Sequence, residues 1–125
     1  MLVCDLLIRD ERTHKVSLIG ITAHIHAQQF PLTVHALFIY ATITDGQGDY
    51  RIHLDLVRLE DLTSSETLAE ANIALHDRNA VGELTFNIGG LAIERPGRYE
   101  LALFANDRLV STQSLTVIQS IGERE

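Results

Sequence analysis

Two histidines separated by one residue, His24 and His26, have the spacing in this sequence that points most directly to chemistry. Residues i and i+2 of a strand project to the same side, so both imidazoles would lie on one face. Two such rings could supply two ligands to zinc or to another transition metal. An ordinary polar strand face is the alternative interpretation. A third ligand would have to come from another part of the chain, where the available side chains are His35, His53, His76 and Cys4.

Other patterns associated with catalysis or ligand binding are absent or incomplete. The sequence contains no nucleophile elbow and no metalloprotease helix. Cys4 could act as a nucleophile with a distant histidine, and the alternative interpretation is a buried thiol. Gly46 and Gly48 lack the helix start that a phosphate loop needs. Asp45 and Asp49 lack the full ligand series of a calcium loop, so their segment predicts a turn. We therefore predict no catalytic residue, no cofactor and a protein that is not an enzyme.

The composition is that of one globular domain with an acidic surface. The chain has 125 residues, of which 46% are hydrophobic and 22% are charged, and this length can bury a core without disulfides or a structural metal. The net charge of −7 disfavours nucleic acid as a partner. Without a basic cluster or a long apolar run, we also expect no membrane contact. From Glu60 to Glu83 there are six carboxylates and one cation, Arg78, which form either a surface for a basic partner or a solvated face.

The cysteine content indicates the cellular compartment of the protein. Cys4 is the only cysteine, so the fold cannot depend on an intramolecular disulfide and fits a reducing compartment. We therefore predict a cytoplasmic protein. One domain is expected over residues 1–119, and the polar residues 120–125 are expected to form a C-terminal tail.

Runs of alternating apolar and polar residues, each about the length of a strand, follow one another along the chain. The clearest extends from Tyr50 to Leu56. Gly20 is expected to mark a bulge or a close backbone approach, and Gly89-Gly90 is expected to end a strand. The predicted strands occupy residues 2–9, 16–26, 35–44, 50–56, 67–75, 84–88, 99–103 and 109–118.

Residues 60–83 leave two possibilities open. Residues 67–75 can form a strand that places Ala69, Ala71, Ile73 and Leu75 inward. Residues 67–76 are also rich in alanine and contain glutamate, and this composition favours a short helix by intrinsic propensity.

The spacing of the runs indicates the fold class. Short strands at intervals of roughly ten to fifteen residues, without a long amphipathic helix, favour a sandwich or a barrel over an α/β fold. We predict an all-β chain, an immunoglobulin-like antiparallel β-sandwich of about seven to eight strands.

Three stretches carry a resemblance to a known family. They are Cys4-Asp5 with the segment from Asp10 to Ile21, then Phe30-Pro31, then Pro96-Gly97-Arg98-Tyr99. With these stretches the chain resembles a family of short bacterial proteins of unknown function with an immunoglobulin-like β-sandwich. The resemblance spans nearly the whole chain and implies a fold without an activity. Members of that family often have glycine where His14 stands here.

The last of these stretches also resembles a corner found in immunoglobulin-like and fibronectin-like domains. In such domains a tyrosine near the start of the penultimate strand bonds its hydroxyl to the backbone across the corner. The resemblance implies this role for Tyr99, with Pro96 and Gly97 forming the corner. Packing of the ring in the core is the alternative interpretation.

These observations favour a non-enzymatic binding or assembly module that acts through loops or a sheet edge. Its partner would be another protein or a second copy of the chain. Lys15 is the only lysine beside nine arginines, and scarce lysine leaves sheet edges less protected against pairing. The alternative is a small-ligand or metal-binding domain centred on His24 and His26.

Overall fold

The computed structural model describes residues 1–44, 46–60, 65–77 and 81–120. All helix or strand assigned within these ranges is β-strand. No helix in them has the length and apolar character needed to cross a membrane. The strands are β1 (Leu2–Arg9), β2 (Val16–Ile21), β3 (His24–Ala27), β4 (Leu32–Thr44), β5 (Gly48–Arg58), β6 (Ser65–Leu75), β7 (Val81–Ile93), β8 (Gly97–Ala105) and β9 (Arg108–Gln119).

The strands form two sheets that share one core. Sheet A has the order β2-β1-β4-β7, and sheet B has the order β3-β9-β8-β5-β6. Neighbouring strands are antiparallel except β3 and β9, which are parallel. The β4–β7 pair and the β9-β8-β5 order match the neighbours in immunoglobulin sandwiches. The predicted all-β sandwich is confirmed, with nine strands in the described residues where about seven to eight were expected.

Aliphatic side chains from the inner faces of both sheets fill the core. The alternation predicted from Tyr50 to Leu56 is confirmed, because Ile52, Leu54 and Leu56 are buried and Tyr50 packs against them. Among the described residues no polar or charged residue is buried, so apolar contact and the strand ladders hold the sheets together. The side chains with the least exposure are Ile39, Ile52, Leu54, Ile93, Leu101, Leu103, Leu115, Val3, Val117 and Cys4.

The ambiguous stretch forms strand β6 and not a helix. Ala69, Ala71 and Ile73 pack against the core, as the strand interpretation requires. A shift in the β5–β6 register between Leu54 and Asp55 adds one residue to β6, so Leu68 packs against the core as well. Residues 61–64 and 78–80, including Asp61 and Arg78 of the acidic stretch, lie outside the described residues.

The prediction that a strand ends at Gly89-Gly90 is wrong. Strand β7 continues to Ile93 and stays paired with β4 through this point. The inward positions change parity between Ile88 and Leu91, and Gly90 has a φ of +67°. Glycine accepts this conformation without a steric cost, so the strand changes its inward face instead of stopping.

The prediction of a single strand over residues 16–26 is also wrong. The chain leaves sheet A after Ile21 and enters sheet B at His24. Thr22 holds the crossing, because its hydroxyl donates to the His24 carbonyl (2.9 Å) and accepts from the His24 N–H (3.0 Å). Side-chain bonds of this kind compete with a continuous ladder.

The corner before β8 is fixed by Tyr99. Its ring is buried in the core, and its hydroxyl donates to the Arg95 carbonyl at 2.7 Å. Gly97 has a φ of +148°, and a Cβ there would come within 2.9 Å of Glu60 Oε1. Both roles suggested for Tyr99, the corner bond and core packing, are therefore present together.

The last strand ends shortly before the last described residue. Strand β9 ends at Gln119, and the Ser120 N–H donates to the Ala27 carbonyl at 2.8 Å. Ser120, expected in the tail, is therefore attached to the sandwich. Residues 121–125 of the expected tail lie outside the described residues.

We predict that Tyr99→Phe lowers the free energy of unfolding by about 1 kcal/mol, because the hydroxyl is lost while the ring is kept and the Arg95 carbonyl loses its donor. Urea denaturation measures this change. Tyr50→Phe is the matched control, since the Tyr50 hydroxyl bonds to Gln47 in an exposed loop, where water can replace it. An equal effect of the two substitutions would contradict a special role for the corner.

Candidate protein-binding surface

The β1–β2 hairpin is built around an ordered turn. Asp10 Oδ1 accepts from the N–H groups of Arg12 (2.7 Å) and Thr13 (3.0 Å), and these bonds lower the Asp10 pKa. The Asp10 carbonyl accepts from the His14 N–H at 2.8 Å. His14 has a φ of +61°, the left-handed region that glycine enters most easily. A glycine at this position would meet that requirement without strain.

Gly20 lies where the two strands of the hairpin approach each other closely. Its φ is +73°, and a Cβ on it would lie 2.4 Å from Asp5 Oδ2. Only glycine leaves room for the Asp5 carboxylate at this point. This geometry corresponds to the close approach suggested for Gly20 from the sequence.

The distal part of the hairpin turns back over the outer face of sheet A. The β1–β4 ladder contains only the pairs of Leu2, Val3 and Cys4. If the β1–β4 register continued, Arg9 would lie opposite Thr33. That position is roughly 30 Å along β4 from the position of Glu83 on the neighbouring strand β7. Arg9 nevertheless contacts Glu83, so the hairpin must bend.

A polar contact of three side chains fastens the bent hairpin, and we call it the latch. Arg9 Nη2 donates to Glu83 Oε1 at 2.5 Å, and the Tyr40 hydroxyl donates to Glu83 Oε2 at 2.9 Å. The bonds from Arg9 and then Tyr40 lower the Glu83 pKa. The bond to the Glu83 carboxylate raises the Tyr40 pKa.

The hairpin exposes large aliphatic side chains, and we call this surface the aliphatic face. Its members are 41% to 58% exposed. Leu6 pairs with Ile19 across the strands, so these two side chains project to the same side. Strict alternation does not extend to the Cys4–Ile21 pair, because Gly20 lies between the two pairs and has a φ of +73°. Five of the eight exposed large hydrophobic residues described lie on this one hairpin, which makes them a cluster and not scattered exposure. They are Leu2, Leu6, Ile8, Ile19 and Ile21.

The aliphatic face continues onto strand β4. Leu2 lies opposite Tyr40 and Cys4 lies opposite Phe38, and both rings are half-buried. Cys4 is fully buried beneath this surface as a free thiol, and burial raises its pKa. A thiol that is protonated and inaccessible is a poor nucleophile.

Strand β2 is also an open edge of sheet A, with β1 as its one hydrogen-bonded neighbour. Residues 16–21 contain no charge and no proline, the features that usually prevent an edge strand from pairing with another chain. The open edge therefore adjoins the aliphatic face.

The His24–His26 pair lies on another edge strand. Both imidazoles are exposed on β3, while Ile25 between them packs against the core. Among the residues that the structure describes, no group of three or more His, Cys, Asp or Glu side chains could hold a metal ion. The other candidates are not gathered around the pair, since the structure places them on β4 (His35), on β5 (His53), just after β6 (His76) and beneath the aliphatic face (Cys4). The metal site therefore stays a prediction.

The remaining candidates are spread over the surface. Gly48 has a φ of +111° beside β5, and Asp49 contacts the exposed His76 at 3.7 Å; Asp45 lies outside the described residues. His53 stacks on Phe104 with ring centroids 4.6 Å apart. The acidic side chains described between residues 60 and 83 are exposed.

A cavity of about 340 Å³ opens at one end of the sandwich, lined by Arg58, Tyr99 and Glu94 among others. Arg58 Nε is buried without a hydrogen-bond partner, 3.7 Å from Glu60 Oε1. Glu60 also accepts from the Arg98 N–H at 3.2 Å. This bond lowers the Glu60 pKa most, and the Glu60 backbone N–H and then Arg58 lower it further. Arg58 therefore belongs to the contact that holds β5 against β8.

Comparisons with known proteins identify a family. The model of a family of unknown function, DUF6941, matches residues 1–118. The chain belongs to this family. No curated protein matches the sequence.

Solved structures share the fold with the DUF6941 chain at low identity. A β-glucosidase from Listeria innocua in complex with isofagomine is 16% identical with a TM-score of 0.53, over 80% of this chain and 15% of that one. The sensor domain of the anti-sigma factor RsgI4 in Pseudobacteroides cellulosolvens is 16% identical with a TM-score of 0.50, over 100% of this chain and 97% of that one. The chain thus spans a small part of the glucosidase, and both likenesses show the fold alone.

We predict that His14→Gly raises the free energy of unfolding by about 0.5–1 kcal/mol, because it removes the cost of a left-handed conformation in a residue with a Cβ. The control is Lys15→Gly, since the neighbouring Lys15 is not among the residues with positive φ; this change should lower stability by about 0.5–1 kcal/mol. Thermal and urea denaturation measure both. A loss of stability in His14→Gly would contradict the geometry of the turn.

We predict that acid loosens the hairpin. Because the Glu83 pKa is lowered in the fold, its stabilising effect is present above the ordinary value of 4.5 and is lost as pH falls through the lowered pKa. Hydrogen exchange of residues 5–9 and 16–20, corrected for intrinsic rates, should show decreasing protection below pH 4.5.

Glu83→Gln separates the effect of the latch from that of the turn, where the Asp10 carboxylate also has a lowered pKa. The hairpin amides of this variant should be less protected from hydrogen exchange than those of the wild type at neutral pH. Their protection should also depend less on acid. Identical pH profiles for the two proteins would exclude the latch as the cause.

Proposed function

We propose that this DUF6941 chain is a non-enzymatic protein-binding module that uses the aliphatic face and the adjoining β2 edge. The observation that carries the proposal is the concentration of the exposed residues Leu2, Leu6, Ile8, Ile19 and Ile21 on one hairpin. Monomeric proteins rarely expose such continuous apolar surface unless it binds another molecule.

Burial of this surface can supply a substantial part of the free energy of binding. Covering five aliphatic side chains that are about half exposed contributes roughly 5 kcal/mol. Association costs about 4–15 kcal/mol in lost motion, so the face can be the apolar centre of an interface whose polar rim supplies the rest. The charged residues of the turn adjoin the distal end of the hairpin and are suited to that rim.

Other observations agree with a binding role. The fold serves as a sensor domain in the anti-sigma factor RsgI4, which supports a use without catalysis. The net charge of −7 supports a protein and not a nucleic acid as the partner. The proposal assigns the module to the cytoplasm, because its single cysteine is free and the fold needs no disulfide.

Site-specific photo-crosslinking in cells tests the proposal. A benzophenone amino acid replaces Ile19 on the aliphatic face, and the control carries it at Leu109, which is similarly exposed (56% against 50%). We expect a discrete crosslinked adduct from position 19 and little from position 109. Equal yields at the two positions, or no adduct from position 19, would contradict the proposal.

A further inference from the structure

We propose that the distal part of the β1–β2 hairpin, residues 5–20, is a hinged strap that opens as one unit when the latch is released. In the closed state the strap lies over the outer face of sheet A, where the contact of Arg9 with Glu83 holds it. Opening regulates the surface named in the proposed function, because it changes which side chains of the hairpin a partner can reach. Only this consequence rests on the proposed function.

An interruption in the hairpin ladder identifies the hinge. The ladder between β1 and β2 has pairs on both sides of Asp5 and Gly20, but these two residues are not one of its pairs. Gly20 has a φ of +73°, and a residue without a Cβ accepts a large change of backbone angles most easily. Hinges consist of a few such positions. On the sandwich side of the hinge, the Thr22 N–H donates to the Val3 carbonyl at 2.9 Å and fixes the base of the hairpin.

Few polar contacts attach the strap to the sandwich. The β1–β4 ladder does not reach it, because the last pair of that ladder is at Cys4. Among the described residues and outside the ladders, the one hydrogen bond from the strap to strands β3–β9 runs from Arg9 to Glu83. Segments with few buried contacts open with a smaller free energy than the core. The strap therefore opens while the sandwich stays folded.

The two sides of the strap differ in exposure. Leu7 and Arg9 project to one side of β1, and Arg9 contacts the sandwich through the latch, so this side faces the sandwich. Leu7 and its ladder partner Leu18 are half-buried. Leu6 and Ile19 project to the opposite side and are exposed. Opening therefore uncovers Leu7 and Leu18 and adds them to the apolar surface that a partner can contact.

Cys4 at the base of the hairpin serves as a reporter of the opening. Its side chain is fully buried, and backbone groups of Leu6 and Ile19 in the strap form hydrogen bonds with its sulfur. The closed strap therefore covers the thiol, which an alkylating reagent reaches only when the strap or the whole sandwich opens. Cys4 is the only cysteine in the chain, so the reaction needs no introduced label.

Alkylation of Cys4 by iodoacetamide in the purified full chain tests this inference. We expect the wild type to react faster than its global unfolding permits, with global unfolding measured by urea denaturation in the same buffer. Glu83→Ala should raise the rate about tenfold, because it removes both bonds of the latch. The matched control is Glu70→Ala, which removes an exposed glutamate from β6 and should change the rate less than about twofold.

Hydrogen exchange of the same proteins shows whether the strap opens as one unit. The slowly exchanging amides of residues 6–9 and 16–19 should share one free energy of opening, smaller than that of the β4–β7 amides. Glu83→Ala should lower it for all of them together. Protection that falls steadily from the hinge to the turn would indicate fraying and would overturn the inference.

Two results of the alkylation would also overturn it, namely a rate no faster than global unfolding permits and a rate that Glu83→Ala leaves unchanged. If the strap fails these tests while position 19 still crosslinks another protein in cells, this inference fails and the proposed function stands. If the strap opens and position 19 gives no adduct, the proposed function fails and the strap stands.

Discussion

The ladder between β1 and β4 ends after three residue pairs, and the exposure of the aliphatic face depends on this early end. Beyond Cys4 the hairpin has no neighbouring strand on the β4 side, so its backbone is free to bend over the outer face of sheet A. Gly20 makes room for Asp5 near this point, and Glu83 on β7 then fastens Arg9. The aliphatic residues of the bent hairpin consequently have no second sheet to cover them.

The sandwich itself does not need the hairpin for its core. Sheet B and the β4–β7 pair supply nearly all of the buried aliphatic residues, and from β1 only Val3 joins the central cluster. Exposure on the hairpin is therefore local and does not reflect a loosely packed domain. A well-packed sandwich with one apolar appendage fits a module whose contact surface is separate from its stabilising core.

Alternation in the sequence was enough to predict the sandwich, because in strands with one buried face, such as residues 50–56, the apolar positions identify the inward side. Alternation predicted the wrong strand bounds where a single residue changed the backbone geometry. Gly90 reversed the inward parity without ending β7, and the Thr22 hydroxyl moved the chain from one sheet to the other. The aliphatic face was missed because β1 carries apolar residues on both parities. Sequence indicates that both faces of such a strand avoid water, but not that only one is covered by the rest of the chain. For His24 and His26 the spacing predicts a shared strand face, but it contains no information about where a third ligand would lie.

Methyl NMR of the isoleucine-labelled chain, with and without unlabelled lysate of the cells that make it, tests the central claim most directly, because it locates any contact on the surface without a substitution. The account predicts that the δ1 methyl signals of Ile8, Ile19 and Ile21 shift when lysate is added. The core residues Ile39 and Ile52 should keep their chemical shifts. Spectra unchanged by lysate, or shifts confined to other parts of the surface, would contradict protein binding through the aliphatic face.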